Sequence, residues 1–395
     1  MHEVVVTAAR RTPIGKFMGS LAEVAATTLG AAAVRAAVAD SGLGPDQIDE
    51  LVFGHARQAG TGPNPARQVV RGAGLPDATP AFTVNKACGS GLKAVLLAAQ
   101  TIRLGEARVV VAGGMESMSR VPYLLERARG GYRLGHGELV DAMYRDGFTD
   151  PLSGLVMGET AEKLARSHEI SRREQDEFAL ESHRRATAAW NAGHFAAEIV
   201  AVDADDGRGG VRRFDRDENP REDATLERLA RLQPVFAAGG SVTPGNASAI
   251  TDGAAALVLM DEESARRHGQ TILARLVAST QVGVDPSLMG IAPVPALQKL
   301  WKRTGLAVDA IDLFELNEAF AAQVLACQRE MPLPPARLNV NGGAIALGHP
   351  IGSSGARILV TLVHEMRRRQ ARRGVATLCI SGGQGLALLV ERAEA

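Results

Sequence analysis

The chain has 395 residues, Lys+Arg 44 against Asp+Glu 44, 46% hydrophobic and 22% charged residues. At about 100 to 200 residues per domain this length suits two or three domains, and the composition excludes a disordered chain or a small stapled scaffold. Balanced charge supplies no global field for nucleic acid or an anionic membrane, and three cysteines without a CxxC pair exclude a disulfide framework and a structural zinc site.

No apolar run reaches the roughly 18 to 20 residues that span a bilayer, and MHEVVVTAAR lacks the basic start and long apolar stretch of a leader. The expectation is a soluble, cytoplasmic protein with no membrane partner. Its nine histidines make no HxxxH or HExxH spacing, so no metal centre is expected.

In chain order the pattern predicts a strand at Glu3–Ala9, a helix at Leu29–Asp40, a strand at Asp49–Phe53 and a helix at Pro65–Gly72. A strand at Ala81–Asn85, a helix at Ser90–Leu104 and a strand at Ala107–Val111 follow. Strands alternating with helices in this way read as an α/β fold. The helix is amphipathic through Leu92, Val95, Leu96, Ala99 and Ile102 and should pack on a sheet. Between Arg120 and about Ser248 the composition shifts to Arg, Glu, Asp and Gly, with helices expected at Glu159–Ser167 and Arg172–Asn191. A strand at Asp252–Met260 then rejoins the first core.

The chain also repeats itself. GLGPDQIDELVF from Gly42 is echoed by GLAVDAIDLFEL from Gly305. Further on, Ser90-Gly91 opens one apolar helix and Ser354-Gly355 another, and each helix leads to a short strand ending in a glycine pair, Gly113-Gly114 and Gly382-Gly383. Two echoes in the same order imply two copies of one unit. The expected organisation is residues 1–120 plus 249–270 as a first half, 121–248 as an inserted loop domain and 271–395 as a second half. Insertions over a rigid scaffold commonly carry substrate sites.

Cys88 lies between a strand and a helix inside NKACGSG, where helix N–H groups favour a thiolate and would pull its pKa below about 8.5. The alternative is a small apolar residue filling a strand-helix corner. His349, in GGAIALGHPIGSSGAR, is held out of regular structure by the following proline, which suits a base and equally suits a turn. This glycine-rich stretch has neither Lys-Ser/Thr nor GxGxxG and does not read as a nucleotide loop. Cys379 ends a strand at the CISGGQG turn, facing a cleft or closing the core. Asn317 in LNEAF is either a helix cap or a group facing a site. Cys327, among Ala and Leu on a helix, reads as core. His168, His183, His194, His268 and His364 read as surface residues.

Taken together, NKACGSGLKA, GGMESMS, GNASAITDGAAA, LNEAFA, NGGAIALGHPIGSSGAR and CISGGQG resemble the thiolases in order along practically the entire chain. The resemblance implies a five-layered αβαβα core built from two repeated halves with an inserted loop domain. It implies that Cys88 is the acylated nucleophile, His349 its base and Cys379 the second acid/base. One oxyanion hole would use His349 with a water held by Asn317, the other the backbone N–H groups of Cys88 and Ser381. Arg221 and Ser248 would meet coenzyme A, and Met157, Met289 and Phe320 would border the acyl group. Ser381 stands where the CxG motif has glycine, so a turn requiring positive φ there would be strained. Val156 stands where short-chain members often have histidine.

The implied reaction is the reversible joining of two acetyl-CoA into acetoacetyl-CoA. A thiolase of broader chain length is the alternative, and a silent lipid or coenzyme A carrier is a distant one. A condensing enzyme of the β-ketoacyl synthase type would need two histidines with the cysteine, which the Cys379 motif speaks against. Coenzyme A thioesters enter as substrates with no permanently bound cofactor, and the family implies a homotetramer or dimer.

Overall fold

Nine strands carry the core among the residues that the computed structural model describes, 2–205 and 210–393. They are β1 (Val4–Arg11), β2 (Glu50–Gly54), β3 (Ala81–Val84), β4 (Val109–Ser117), β5 (Thr251–Asp261), β6 (Ala274–Gly283), β7 (Leu313–Leu316), β8 (Arg373–Ile380) and β9 (Gln384–Glu391). Both chain ends as first expected, Met1 and residues 394–395, and residues 206–209 of the inserted segment lie outside the described residues. The strands run β7-β8-β9-β6-β1-β5-β4-β2-β3, and Gly15–Lys16 adds a short tenth strand on β5.

The repeat reappears in this order. Outward from the β1/β6 junction, where Val5 pairs with Arg275 and Val6 with Ala274, the first half runs β1, β5, β4, β2, β3. The second runs β6, β9, β8, β7 and then Leu338, which bridges Phe314. In both halves the first two pairings are antiparallel and the next two parallel.

Helices fill three layers. In chain order the main ones are α1 (Ala26–Ser41), α2 (Pro65–Ala73), α3 (Ser90–Leu104), α4 (Met157–Ser167), α5 (Arg172–Asn191), α6 (Pro293–Thr304), α7 (Ala321–Glu330) and α8 (Ile351–Arg369). The centre is α3 against α8: Leu92, Val95 and Ile102 share one buried cluster with Ile358, Leu359 and Met366 and with Val110, Leu257, Leu378 and Leu388 of both halves' strands. Outside, α1 and α2 cover the first half through Leu29, Val34 and Val69, and α6 and α7 the second through Leu297, Leu300 and Val324. This is the αβαβα arrangement, with its two sheets joined edge to edge along β1 and β6.

The central helices meet through glycine. A Cβ on Gly91 would stand 2.8 Å from Ala356 N, and one on Gly355 only 2.6 Å from Leu92 N. Real Cβ atoms do not approach backbone so closely, so both positions demand glycine for the crossing.

The structure corrects the expectation for Gly113-Gly114. β4 does not end there but continues to Ser117. A Cβ on Gly113 would fall 2.0 Å from Ala255 O, and one on Gly114 2.1 Å from Gly352 O. The pair permits close contact within the core. Its counterpart, Gly382-Gly383, is a true turn, with φ of 80° and 73°.

The segment between β4 and β5 carries α4 and α5. A Ser171/Glu174 capping box starts α5, the Ser171 side chain accepting from Glu174 N and the Glu174 side chain from Ser171 N. Buried Arg11 of β1 fastens the segment to the core, its Nε on Glu198 at 2.6 Å and its Nη1 on Asp217 at 2.8 Å. Those two carboxylates outweigh the cost of burial and hold the guanidinium pKa above its ordinary value. Near the site, Ala247 bridges Phe320 and Ser248 N donates to Ala319 O at 2.9 Å.

Candidate active site

A cavity of about 580 Å³ opens where the ends of β3 and β8 meet the inserted segment. Its lining includes Cys88, His349, Cys379 and Ser381, together with Arg221, Ser248, Met157, Met289 and Phe320. All the candidates read from the sequence converge here except Asn317, which is not among the lining residues.

Cys88 follows β3 and precedes α3. Ala87 at φ 43° makes the sharp turn between them, and Ser90 ties it down: Ser90 Oγ donates to Ala87 O at 2.7 Å and accepts from Lys86 N at 2.8 Å. The thiol pKa moves opposite to the expectation. Burial pushes it above its ordinary value, and the N–H of Ser381, the charge of Arg57 and the N–H of Cys88 itself only partly offset that. Desolvation beats the helix N-terminus here.

The doubt over Ser381 falls away. The left-handed residues of the turn are Gly382 and Gly383, and Ser381 is not among the positive-φ residues.

His349 is 7% exposed and sits just before α8, with its N–H on Ala249 O at 3.1 Å. Its Nδ1 is 2.5 Å from Ser354 Oγ, whose hydroxyl donates to Pro350 O at 3.0 Å. The tautomer in which Ser354 Oγ gives its proton to Pro350 O has Nδ1–H donating and the Nε2 lone pair free, and among the described residues Nε2 has no partner. Burial, with Arg357 and Arg57 adding to it, lowers the imidazole pKa to about 3. Cys88 and His349 therefore rest as a neutral thiol and a neutral imidazole.

Cys379 is the penultimate residue of β8, buried against the apolar residues around Met289 and Phe320. Burial first, then the neighbouring thiols Cys88 and Cys327, push its pKa well up. Cys327 is core, with Sγ on Gly290 O at 3.3 Å. Asn317, at the end of β7, is 1% exposed, and among the described residues neither Nδ2 nor Oδ1 has a partner. It does not cap a helix: the N-cap of α7 is Phe320.

Three features escaped sequence reasoning. Ser354 was visible only as half of a repeat echo. Glu116 of GGMESMS accepts from Gly352 N at 2.8 Å, close to His349 in the chain, and lies 3.1 Å from His55 Nε2. Arg57 reaches the cavity from the segment after β2, and nothing in its local sequence marks it. His183 corrects its surface assignment: it is 3% exposed, and its Nδ1 accepts from Arg221 N at 3.1 Å. Among the described residues no cluster of His, Cys, Asp or Glu could hold a metal, and no helix is long and apolar enough to cross a membrane.

Comparison with known proteins agrees with this arrangement. The family model for the thiolase N-terminal domain matches residues 4–263, and that for the thiolase C-terminal domain residues 270–392. An acetyl-CoA acetyltransferase of Pseudomonas aeruginosa is 51% identical, covering 99% of this chain and 100% of that protein. The crystal structure of the Bacillus anthracis acetyl-CoA acetyltransferase superposes with TM-score 0.97 at 46% identity, over 100% of this chain and 99% of that one. Human mitochondrial 3-ketoacyl-CoA thiolase superposes with TM-score 0.96 at 42% identity, over 99% of each. With two fold repeats meeting at one cavity that holds Cys88, His349 and Cys379, the chain belongs to the thiolase family.

Proposed function

We propose that the protein is an acetyl-CoA C-acetyltransferase, joining two acetyl-CoA reversibly into acetoacetyl-CoA and coenzyme A. What carries the reading is one cavity wall that holds two thiols and an imidazole with a free Nε2. His349 Nε2 takes the Cys88 proton as the sulfur attacks the thioester carbonyl. Coenzyme A leaves, and the acetyl group stays on Cys88. Thioester is exchanged for thioester, so neither side is a deep trap and the reaction runs both ways.

The Cys379 thiol gives its proton to the departing coenzyme A sulfur, and its thiolate then removes an α-proton from the second acetyl-CoA; the carbanion attacks the acetyl carbon on Cys88, whose sulfur leaves and recovers its proton from His349. The backbone N–H groups of Cys88 and Ser381 serve the oxyanion on the acyl-cysteine, and each such donor is worth roughly 10² to 10³ in rate. His349, with a water on the Asn317 amide, serves the enolate oxygen. Among the described residues both ends of that amide lack a partner, which suits such a role. Arg221 and Ser248, from the inserted segment, would meet coenzyme A. Cytoplasmic residence and assembly as a homotetramer or dimer belong to the same reading.

Val156 in the cavity wall favours a second reading, a thiolase of broader chain length. Steady-state thiolysis of C4 to C16 3-ketoacyl-CoA substrates separates the two. Best turnover of the C4 substrate supports the acetyltransferase, and clear preference for C8 or longer overturns it.

A further inference from the structure

Cys88 comes from the first half of the chain and His349 from the second, and no bond between their side chains sets their distance: His349 Nδ1 lies on Ser354, and among the described residues Nε2 has no partner. What ties their surroundings together is a carboxylate that the mechanism above leaves unused. Glu116, near the end of β4, is fully buried and is not among the residues lining the cavity.

Its two oxygens form a clasp. Oε2 accepts from Gly352 N at 2.8 Å and from Ala56 N at 3.3 Å, while Oε1 accepts from Arg57 N at 3.1 Å and stands 3.1 Å from His55 Nε2. Burial opposes the charge, but His55 and then Arg57 more than offset that and hold the pKa below its ordinary value. A buried anion is costly without such partners.

Each side of the clasp leads to one reagent. Gly352 lies in the first turn of α8, where N–H groups have no partner within the helix. Pro350 O, at the start of that turn, accepts from Ser353 N and Ser354 N, both at 2.9 Å, and Ser354 Oγ meets the His349 ring. On the other side Ala56 O accepts from Asn85 Nδ2 at 3.2 Å, and Asn85 Oδ1 accepts from Ala87 N at 3.0 Å, in the turn just before Cys88. Ala56, Ile351 and Cys88 pack in one apolar cluster. The approach demands glycine: a Cβ on Gly352 would fall 2.4 Å from Met115 O and 2.9 Å from Ala56 N.

We propose that Glu116 is a positioning residue for the transfer of the Cys88 proton to His349: its carboxylate locks the segment that supports the nucleophile to the first turn of α8, beside the base. This rests on the reading that Cys88 takes the acetyl group. Glu116 acts through Ala56 and Asn85 on one side and Gly352 on the other, so its loss misplaces two groups that stay chemically intact.

The test is the time course of acetyl-Cys88 formation at saturating acetyl-CoA, read as the acetyl increment by intact-protein mass, with KM taken from steady-state thiolysis of acetoacetyl-CoA. Glu116→Gln keeps the shape, loses the charge and turns an N–H toward backbone donors. Its rate constant for acetylation should fall by about 10- to 100-fold, the cost of a misplacement of about 1 Å, while the final acetylated fraction matches the wild type and KM moves by less than about threefold. Asn85→Ala cuts the branch to the Cys88 turn and leaves the buried charge in place. It should slow acetylation in the same way, and the double variant should be slowed by less than the product of the two effects, because both act on one connection. If Glu116→Gln does not fold, Asn85→Ala decides alone. A wild-type rate constant overturns the proposal, and so does one accompanied by a lowered final fraction, the mark of a residue that only supports the fold. A rise in KM without slower acetylation, or full additivity in the double variant, overturns it too. Absence of any acetyl increment in the wild type sinks the thiolase reading itself and this inference with it.

Discussion

His349 Nδ1 and Ser354 Oγ stand 2.5 Å apart, and the serine hydroxyl also lies 3.0 Å from Pro350 O. One helical turn thus fixes the orientation of the imidazole. Ser354→Ala removes that acceptor and lets the ring rotate. The expected result is a fall in kcat of about 10- to 100-fold with little change in KM, as positioning of a general base is worth this much. Steady-state kinetics on acetoacetyl-CoA, with circular dichroism to confirm folding, checks it. A KM effect alone would contradict the assignment.

The neutral Cys88 and His349 pair sets a pH dependence. Cys88 alkylation by iodoacetamide should rise with pH and inflect above the value of about 8.5 for a free thiol, since burial raises its pKa. A plateau already reached below pH 7 would mean a resting thiolate-imidazolium pair. Protonation of His349, at about 3, should cost no activity above pH 5.

Cys379 separates the two half-reactions. Cys379→Ala should still form acetyl-Cys88 from acetyl-CoA, seen as an acetyl increment by intact-protein mass. Condensation should fall by about 10² to 10⁴, the usual worth of a general acid/base. Cys88→Ala should lose both signals.

His183 couples acidity to stability. Burial lowers its pKa from 6.5 to about 4, so the folded protein keeps it neutral where the unfolded chain would protonate it. Its contribution is present above pH 6.5 and is lost as pH falls toward 4, at about 1.4 kcal/mol per pH unit. Glu315 and Asp252, raised by burial to about 8 and about 6, act with the opposite sign, so a variant difference is needed. In urea melts the stability gap between wild type and His183→Gln should narrow by about 2 kcal/mol from pH 7.5 to 5. An unchanged gap would place the histidine in solvent.

Gly355→Ala tests the helix crossing. Its Cβ would press on Leu92 N at 2.6 Å, and backbone cannot move aside as a flexible side chain can. Loss of about 1 to 3 kcal/mol in urea unfolding is expected. Gly42→Ala is the control: no atom lies within 4 Å of its Cβ, so only its φ of 67° is strained.

Much of this was legible in the sequence because it rests on local signals. α3 and α5 run between the residues that periodicity and caps predict, and the Gly42/Gly305 echo marks equivalent positions before β2 and β7. What lay hidden depends on distance in the chain. Gly113-Gly114 resembles a turn until β5 and α8 are seen against it. The helix-terminal position of Cys88 suggests a lowered pKa until the apolar walls around it are counted. Arg57 has no local mark, since only the fold brings it to the cavity.

The crossing of α3 and α8 also carries a historical implication. Cys88 belongs to the first repeat, His349 and Cys379 to the second. A lone repeat would hold nucleophile or base but never both, and two identical repeats would be forced to place the same residue on each side of the crossing. Joining the copies in one polypeptide removed that constraint, so a symmetric scaffold could acquire an asymmetric set of reagents.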